Sequence, residues 1–292
     1  MRAQNQVLMS IVLLAGLHNT GCASKVKREL WSQFTTPAGE SSTPLGYDSA
    51  GCLARAQALK IDSSSYYVMN LSRNRYYGHP NLINYLETLS AQVEKKNLGA
   101  LMIGDLSQIR GGPMSSGHAS HQVGLDADIW FRRISAKEKQ TMSREQIANL
   151  DVVYLAKDGG MTSDWNDSYS DILRMAAENE LVERIFINPT IKKEICTKHP
   201  GEPWLAKLRP WWGHDEHFHV RLACPKESPS CKAQKPPEPG DGCGDDLAWW
   251  FSDEAKQDEK KLESSEKSDP LLPKECVELA KIPDTVVVEQ KR

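Results

Sequence analysis

Past its N-terminal end, the 292-residue sequence contains no apolar run of the ~20 residues that a membrane-spanning helix needs, so no such helix is expected there. The formal net charge is only −3, which leaves no basic surplus for binding nucleic acid. None of the seven cysteines forms a Cys-x-x-Cys pair, which argues against cysteine-ligated metal. Neither His-Glu-x-x-His nor Gly-x-Ser-x-Gly occurs, which removes the helical zinc-protease motif and the nucleophile elbow. Ser-x-x-Lys is found at Ser24 to Lys27 and Ser264 to Lys267. Both copies lie in charged, low-complexity segments without Lys-Thr-Gly or Ser-Asp-Asn, so a serine mechanism is set aside. No internal repeat is visible. With 39% hydrophobic and 26% charged residues, the chain has an ordinary soluble composition, enough for one substantial domain with appendages.

What the sequence does contain is clustered histidine. Three of its eight histidines, His214, His217 and His219, fall within six residues, and His118 and His121 form a second group upstream. If 217–222 is extended, His217 and His219 share one side of a sheet while Phe218 and Val220 take the other. Zinc takes neutral imidazole and carboxylate ligands, usually three from protein in a catalytic site, and His121, Asp128 and His219 can supply that set. A single helix cannot bring His121 and Asp128 together, because seven residues rise roughly 10 Å. A turn at Gly124 is needed instead. After it, Leu125, Ala127 and Ile129 alternate with Asp126, Asp128 and Trp130, which places Asp128 on a strand facing the loop that carries His121. His18, His79 and His199 stand alone and read as surface or packing residues.

Residues 117–130 and 211–222 closely resemble the penicillin-insensitive murein endopeptidases. These belong to a wider group that includes lysostaphin-type peptidases, D-Ala-D-Ala dipeptidases and the hedgehog signalling domain. The shared motifs, His-x6-Asp and His-x-His, are matched by His121 to Asp128 and by His217 with His219. The resemblance runs from about residue 51 to 276, through Arg75-Tyr76-Tyr77-Gly78-His79-Pro80 and Gly240-Asp241-Gly242-Cys243-Gly244. It implies a zinc enzyme, with His121, Asp128 and His219 as ligands, His217 as general base, and His118 and His214 lining the site, His214 beside the chemistry. Additional metal contacts are implied from His118 and from an Asp-x-x-His pair in the following loop. Here that pair reads Asp158 and Met161, so the second set is incomplete.

The implied substrate is the D-alanyl to meso-diaminopimelate cross-link of peptidoglycan. Zinc makes a bound water acidic enough to attack an amide without a protein nucleophile, so a β-lactam has nothing to acylate. His217 would take the proton and return it to the leaving amine. Asp126, Asp215 and Glu216 are the carboxylates near enough to hold a ligand imidazole by its second nitrogen. Two other classes compete. Fe(II) oxygenases also use two histidines and a carboxylate, but commonly place the carboxylate two residues after the first histidine. A non-catalytic zinc-containing peptidoglycan-binding module has the hedgehog domain as precedent.

Met1-Arg2, the apolar run 7–17 and Asn19-Thr20-Gly21-Cys22 describe an export signal over 1–21. Cys22 after Gly21 matches a lipoprotein acylation site, and cleavage by the ordinary signal peptidase is the alternative. Either route implies the periplasm, with a membrane tether in the first case. The other six cysteines allow 15 pairings. The resemblance implies Cys52 with Cys276, Cys196 with Cys243, and Cys224 with Cys231.

The chain therefore divides into a signal (1–21), a polar tether (22–50), a zinc peptidase core (51–225) and a disulfide-pinned, partly disordered extension (226–292). A helix is expected to start at His79-Pro80, with Leu82, Leu86, Leu89 and Val93 as its apolar stripe. A buried strand is expected at Ala100–Ile103, a helix at 172–181 and a strand at 184–188. The class is α+β: a small antiparallel sheet carrying the ligands, flanked by helices and long disulfide-pinned loops. Of Trp211 and Trp212, one is expected in the core and one along the substrate groove. Trp249-Trp250-Phe251 either packs on the core or contacts glycan.

Overall fold

The computed structural model describes residues 24–25, 27–61, 63–148, 155, 160–163, 165–264 and 268–285. The leader-like segment, Cys22 and Asp158 lie outside the described residues. Helix α1 (Pro80–Lys95) begins where the sequence places it, with proline in the first turn and His79 accepting from the Asn81 amide at 3.2 Å. Leu82, Leu86, Leu89 and Val93 are all buried along one face. Helix α2 (Asp167–Glu178) starts earlier than its apolar stripe because Asn166 caps it, accepting from the Ser168 amide.

Six strands form the central sheet: β1 (Tyr66–Val68), β2 (Ala100–Ile103), β3 (Asp126–Ile134), β4 (Val182–Ile187), β5 (Leu208–Pro210) and β6 (His217–Leu222). Their order is β5-β4-β6-β3-β2-β1. The α+β class is as expected, but the sheet is larger than expected and only its centre is antiparallel. The outer pairs, β5 with β4 and β2 with β1, are parallel. Both edge strands are three residues long, too short to show a period, and each joins its parallel neighbour through a crossover helix. Helix α1 makes one crossover and α3 (Pro189–Lys198) lies in the other.

Strands β3 and β6 place their two faces in different environments. Ala127, Ile129, Phe131, Phe218, Val220 and Leu222 join α1 and α2 in the main hydrophobic core. The opposite face carries the acidic and imidazole side chains. Their register is set by direct pairing of His219 with Asp128 and of Arg221 with Asp126.

The three disulfides are those the resemblance implies: Cys52–Cys276, Cys196–Cys243 and Cys224–Cys231. The first closes a separation of 224 residues and brings helix Lys274–Lys281 against Trp31, Phe34 and Cys52 in a second core. Arg110, fully buried, donates to the carbonyls of Thr36, Leu279 and Ile282 and to Asp284, tying the segment at Thr36 and the segment 279–284 to the core. Within the extension expected to be partly disordered (226–292), residues Asp253–Ser264 form a helix with Ala255 buried. Charged pairs such as Asp253–Lys256 and Asp258–Lys261 line its surface in place of an apolar stripe. Among the described residues no helix is long and apolar enough to cross a membrane.

Candidate metal centre

Gly124 makes the turn that the sequence demands. Its φ of +70° lies in the left-handed region, and a Cβ there would sit 2.3 Å from Leu53 Cδ2. The chain thereby reverses and sets Asp128 of β3 opposite the loop bearing His118 and His121. His121 and His214 also adopt left-handed backbone, at φ +65° and +53°, a conformation that L-residues other than glycine hold only when their surroundings enforce it.

Four imidazoles converge on one buried carboxylate. Asp128 Oδ1 lies 3.4 Å from His121 Nε2, 3.6 Å from His217 Nε2 and 3.6 Å from His219 Nδ1. Its Oδ2 lies 3.5 Å from His118 Nε2. His118, His121 and Asp128 bring ligand atoms within 4.8 Å of one another. Two ligands about 2.0–2.1 Å from a tetrahedral ion lie about 3.3–3.4 Å apart, so these separations suit a shared cation. Both ring nitrogens of His121 and Asp128 Oδ1 are buried without a hydrogen-bond partner. Buried polar atoms are ordinarily paired, and a bound ion would satisfy Asp128 Oδ1 together with the His121 Nε2 that faces it.

The surroundings give His219, His118 and His214 different partners. His219 donates from Nε2 to Asp126 Oδ1 at 2.8 Å, which leaves Nδ1 as the bare nitrogen facing Asp128. Asp126 is held in turn by Arg221 Nε at 2.6 Å, and Arg221 Nη1 reaches Asp48 at 2.6 Å. Of the three carboxylates the sequence offers for orienting a ligand, the structure selects Asp126. His118 instead faces Asp105 Oδ2 at 3.2 Å, and that carboxylate also accepts from Arg75 at 2.9 Å and Arg73 at 3.2 Å. His214 Nδ1 donates to the Trp212 carbonyl at 2.9 Å, leaving its Nε2 as an acceptor.

Electrostatics follow the same division. Burial would raise the pKa of Asp128, but His217, His121 and His118 outweigh it and hold the group well below the usual carboxylate range. Asp126 is likewise held ionised against burial, by Arg221 and His219. Burial and the neighbouring His121 push His219 down to about 3, and burial with His217 pushes His214 down to about 4. Both are neutral imidazoles, the form that binds metal or accepts a proton. His217 and His118 side chains are 22% exposed at the mouth of the site, whereas His121 is fully enclosed.

A cleft of about 300 Å³ opens beside His219, lined by Ser120, Phe186, Trp211, His214 and Arg221. Neither tryptophan of the Trp211-Trp212 pair is a core residue. Trp211 lines the cleft, and Trp212 packs on Trp250, ring centroids 4.7 Å apart. Met161, which stands where the resemblance has a histidine, packs partly buried against the main core. Sequence reasoning missed Asp105 and its arginines. The one local signal is an acid two residues after the end of the buried strand Ala100–Ile103. It is pinned by Asp128, whose amide donates to the Asp105 carbonyl at 3.0 Å.

Comparison with known proteins agrees with this geometry. A family model described as penicillin-insensitive murein endopeptidase matches residues 44–281. A protein of that name from Klebsiella pneumoniae is 39% identical over 251 residues, covering 85% of this chain and 88% of the relative. Its namesake from Yersinia enterocolitica is 42% identical over 225 residues, covering 76% and 80%. The Haemophilus influenzae namesake is 42% identical over 228 residues, covering 78% of each. The chain belongs to the penicillin-insensitive murein endopeptidase family.

Proposed function

We propose that the protein is a zinc-dependent DD-endopeptidase that hydrolyses D-alanyl to meso-diaminopimelyl cross-links of peptidoglycan and is not inhibited by penicillin. The observation that carries this reading is the set of imidazoles around Asp128, with the nitrogens of His121 buried and unpartnered. His121, Asp128 and His219 would hold the zinc. His219 is favoured over His118 because Asp126 fixes its bare nitrogen toward Asp128, whereas the facing nitrogen of His118 is engaged by Asp105. Zinc bound there supplies an acidic water and a positive charge for the substrate carbonyl.

The remaining residues have separate tasks. His217, on the same strand face as His219 and part-exposed at the mouth of the site, takes the proton of the attacking water and delivers it to the leaving amine. His214 is kept neutral and its Nε2 is a fixed acceptor at the cleft wall, suited to orienting a substrate amide. Arg221, Asp126 and Asp48 hold the strand face rigid behind the ligands. The mature protein is assigned to the periplasm on its leader-like 1–21 and its three disulfides. The mass of its N-terminal peptide distinguishes acylation at Cys22 from plain cleavage.

Cross-linked muropeptide dimers incubated with the purified protein, with penicillin present, test the proposal by mass spectrometry. Conversion to monomers that stops with chelator and returns with zinc supports it. A folded, zinc-loaded protein that leaves dimers intact sinks it in favour of a binding module.

A further inference from the structure

An aromatic wall leads away from the metal cleft, and the hydrolysis does not use it. It begins at Phe186, whose ring centroid lies 5.2 Å from that of His219 and 6.2 Å from that of His214. Trp211 follows at 6.0 Å, Trp250 stands 6.0 Å beyond it, and Trp212 and Trp249 complete the group. Trp211, Trp249 and Phe251 remain 41%, 36% and 40% exposed. The two halves come from distant parts of the chain. Trp211 and Trp212 follow β5, while Trp249, Trp250 and Phe251 belong to the extension. Cys196–Cys243 and the Lys193 ammonium, 5.1 Å over the Phe251 ring, hold the extension against α3. Large aromatics packed on one another at a surface, rather than in a core, mark a contact site.

We propose that this wall is a glycan-binding platform that seats the sugar strand of peptidoglycan while an attached peptide enters the metal cleft. The proposal rests on peptidoglycan being the substrate. A tryptophan face combines apolar area with a negative quadrupole, which suits the slightly positive C–H face of a pyranose ring. The rings are tilted to each other, 86° between Trp249 and Trp250 and 64° between Trp211 and Trp212, so none is stacked flat over its neighbour. Continuity through Phe186 means that a ligand on the wall is joined to a ligand at the metal. In peptidoglycan, the polymer joined to a cross-linked peptide is the glycan. A second copy of the chain fits less well. The three exposed rings offer on the order of 250 Å², against the ~800 Å² per partner of a stable interface.

The test is cosedimentation of the full mature protein with insoluble murein glycan stripped of its peptides. Titration of tryptophan fluorescence with an N-acetylglucosamine tetramer accompanies it. Wild type should bind, Trp249→Ala should weaken binding about tenfold, and Trp249→Phe should recover most of the loss. Phe251→Ala, at the exposed residue that follows Trp250, should weaken binding as well. Wild type that cleaves glycan-free peptide dimers yet does not bind stripped glycan overturns the platform and leaves the peptidase reading intact. Protein that binds stripped glycan and cleaves no dimer does the reverse. Self-association through the wall without glycan binding assigns it to a second copy and also overturns the proposal.

Discussion

Replacing Asp126 with asparagine should loosen the metal without emptying any space. Asp126 is fully buried, and its Oδ1 receives both His219 Nε2 at 2.8 Å and Arg221 Nε at 2.6 Å. Asparagine keeps the volume and an acceptor oxygen but removes the charge that fixes the imidazole and raises its basicity. Substitutions behind a metal ligand cost about 10–100-fold in metal affinity, equivalent to about 1.4–2.7 kcal/mol. Stability should fall too, because Arg221 is left one carboxylate short. Breaking a buried pair costs about 3–5 kcal/mol, and the retained Asp48 contact places this case near 3 kcal/mol. Competition against a chromophoric zinc chelator reads the first effect, and urea melts of the zinc-free proteins read the second. A variant with wild-type zinc affinity would refute the role given to Asp126.

Three further outcomes follow from the same geometry. His217→Ala should lower kcat on muropeptide dimers by about 10²–10⁴-fold while zinc content stays at the wild-type level; loss of zinc would make His217 a ligand instead of a base. Replacing Cys52 and Cys276 together by alanine should destabilise the protein by up to about 5 kcal/mol, since that bridge closes a 224-residue separation, and should expose the C-terminal helix to protease. Unchanged stability would show that the tail docks without it. Asp284 supplies the pH dependence. Burial raises its pKa, but hydrogen bonds from Thr35 and Thr36 outweigh burial and lower it. The folded state therefore binds this proton less readily than the unfolded one, so the contribution is complete above about pH 4 and is lost as pH falls through the folded value. Asp284→Asn should be less stable than wild type at neutral pH and equal to it in strong acid, whereas a gap independent of pH contradicts the assignment.

The residues most legible in the sequence were those governed by a local period. Alternation along 125–130 and 217–220 assigns Asp128, His217 and His219 to one face, and Gly124 marks the reversal that lets His121 meet them. Which acid lies behind His219 was not legible, because that depends on strand register. His219 pairs with Asp128, which leaves Asp126 diagonal to His219 and directly opposite Arg221. Asp105 was hidden for a related reason. Its partners Arg73 and Arg75 lie on one segment and His118 on another, and only tertiary folding brings them together. The edge strands were too short to show any period. The helix over Asp253–Ser264 shows none because it is covered with charge rather than packed by a stripe. Two of its surface pairs, Asp253–Lys256 and Asp258–Lys261, follow helical spacing, a signal that hydrophobic patterning does not register.

The placement of the metal is the centre of the account, and zinc-edge anomalous diffraction from crystals of the zinc-loaded protein tests it most directly. One strong peak within bonding distance of His121, Asp128 and His219 Nδ1, with His217 outside the coordination sphere, is the result expected. A peak bound through His118 in place of His219, or no peak beside Asp128, would contradict it.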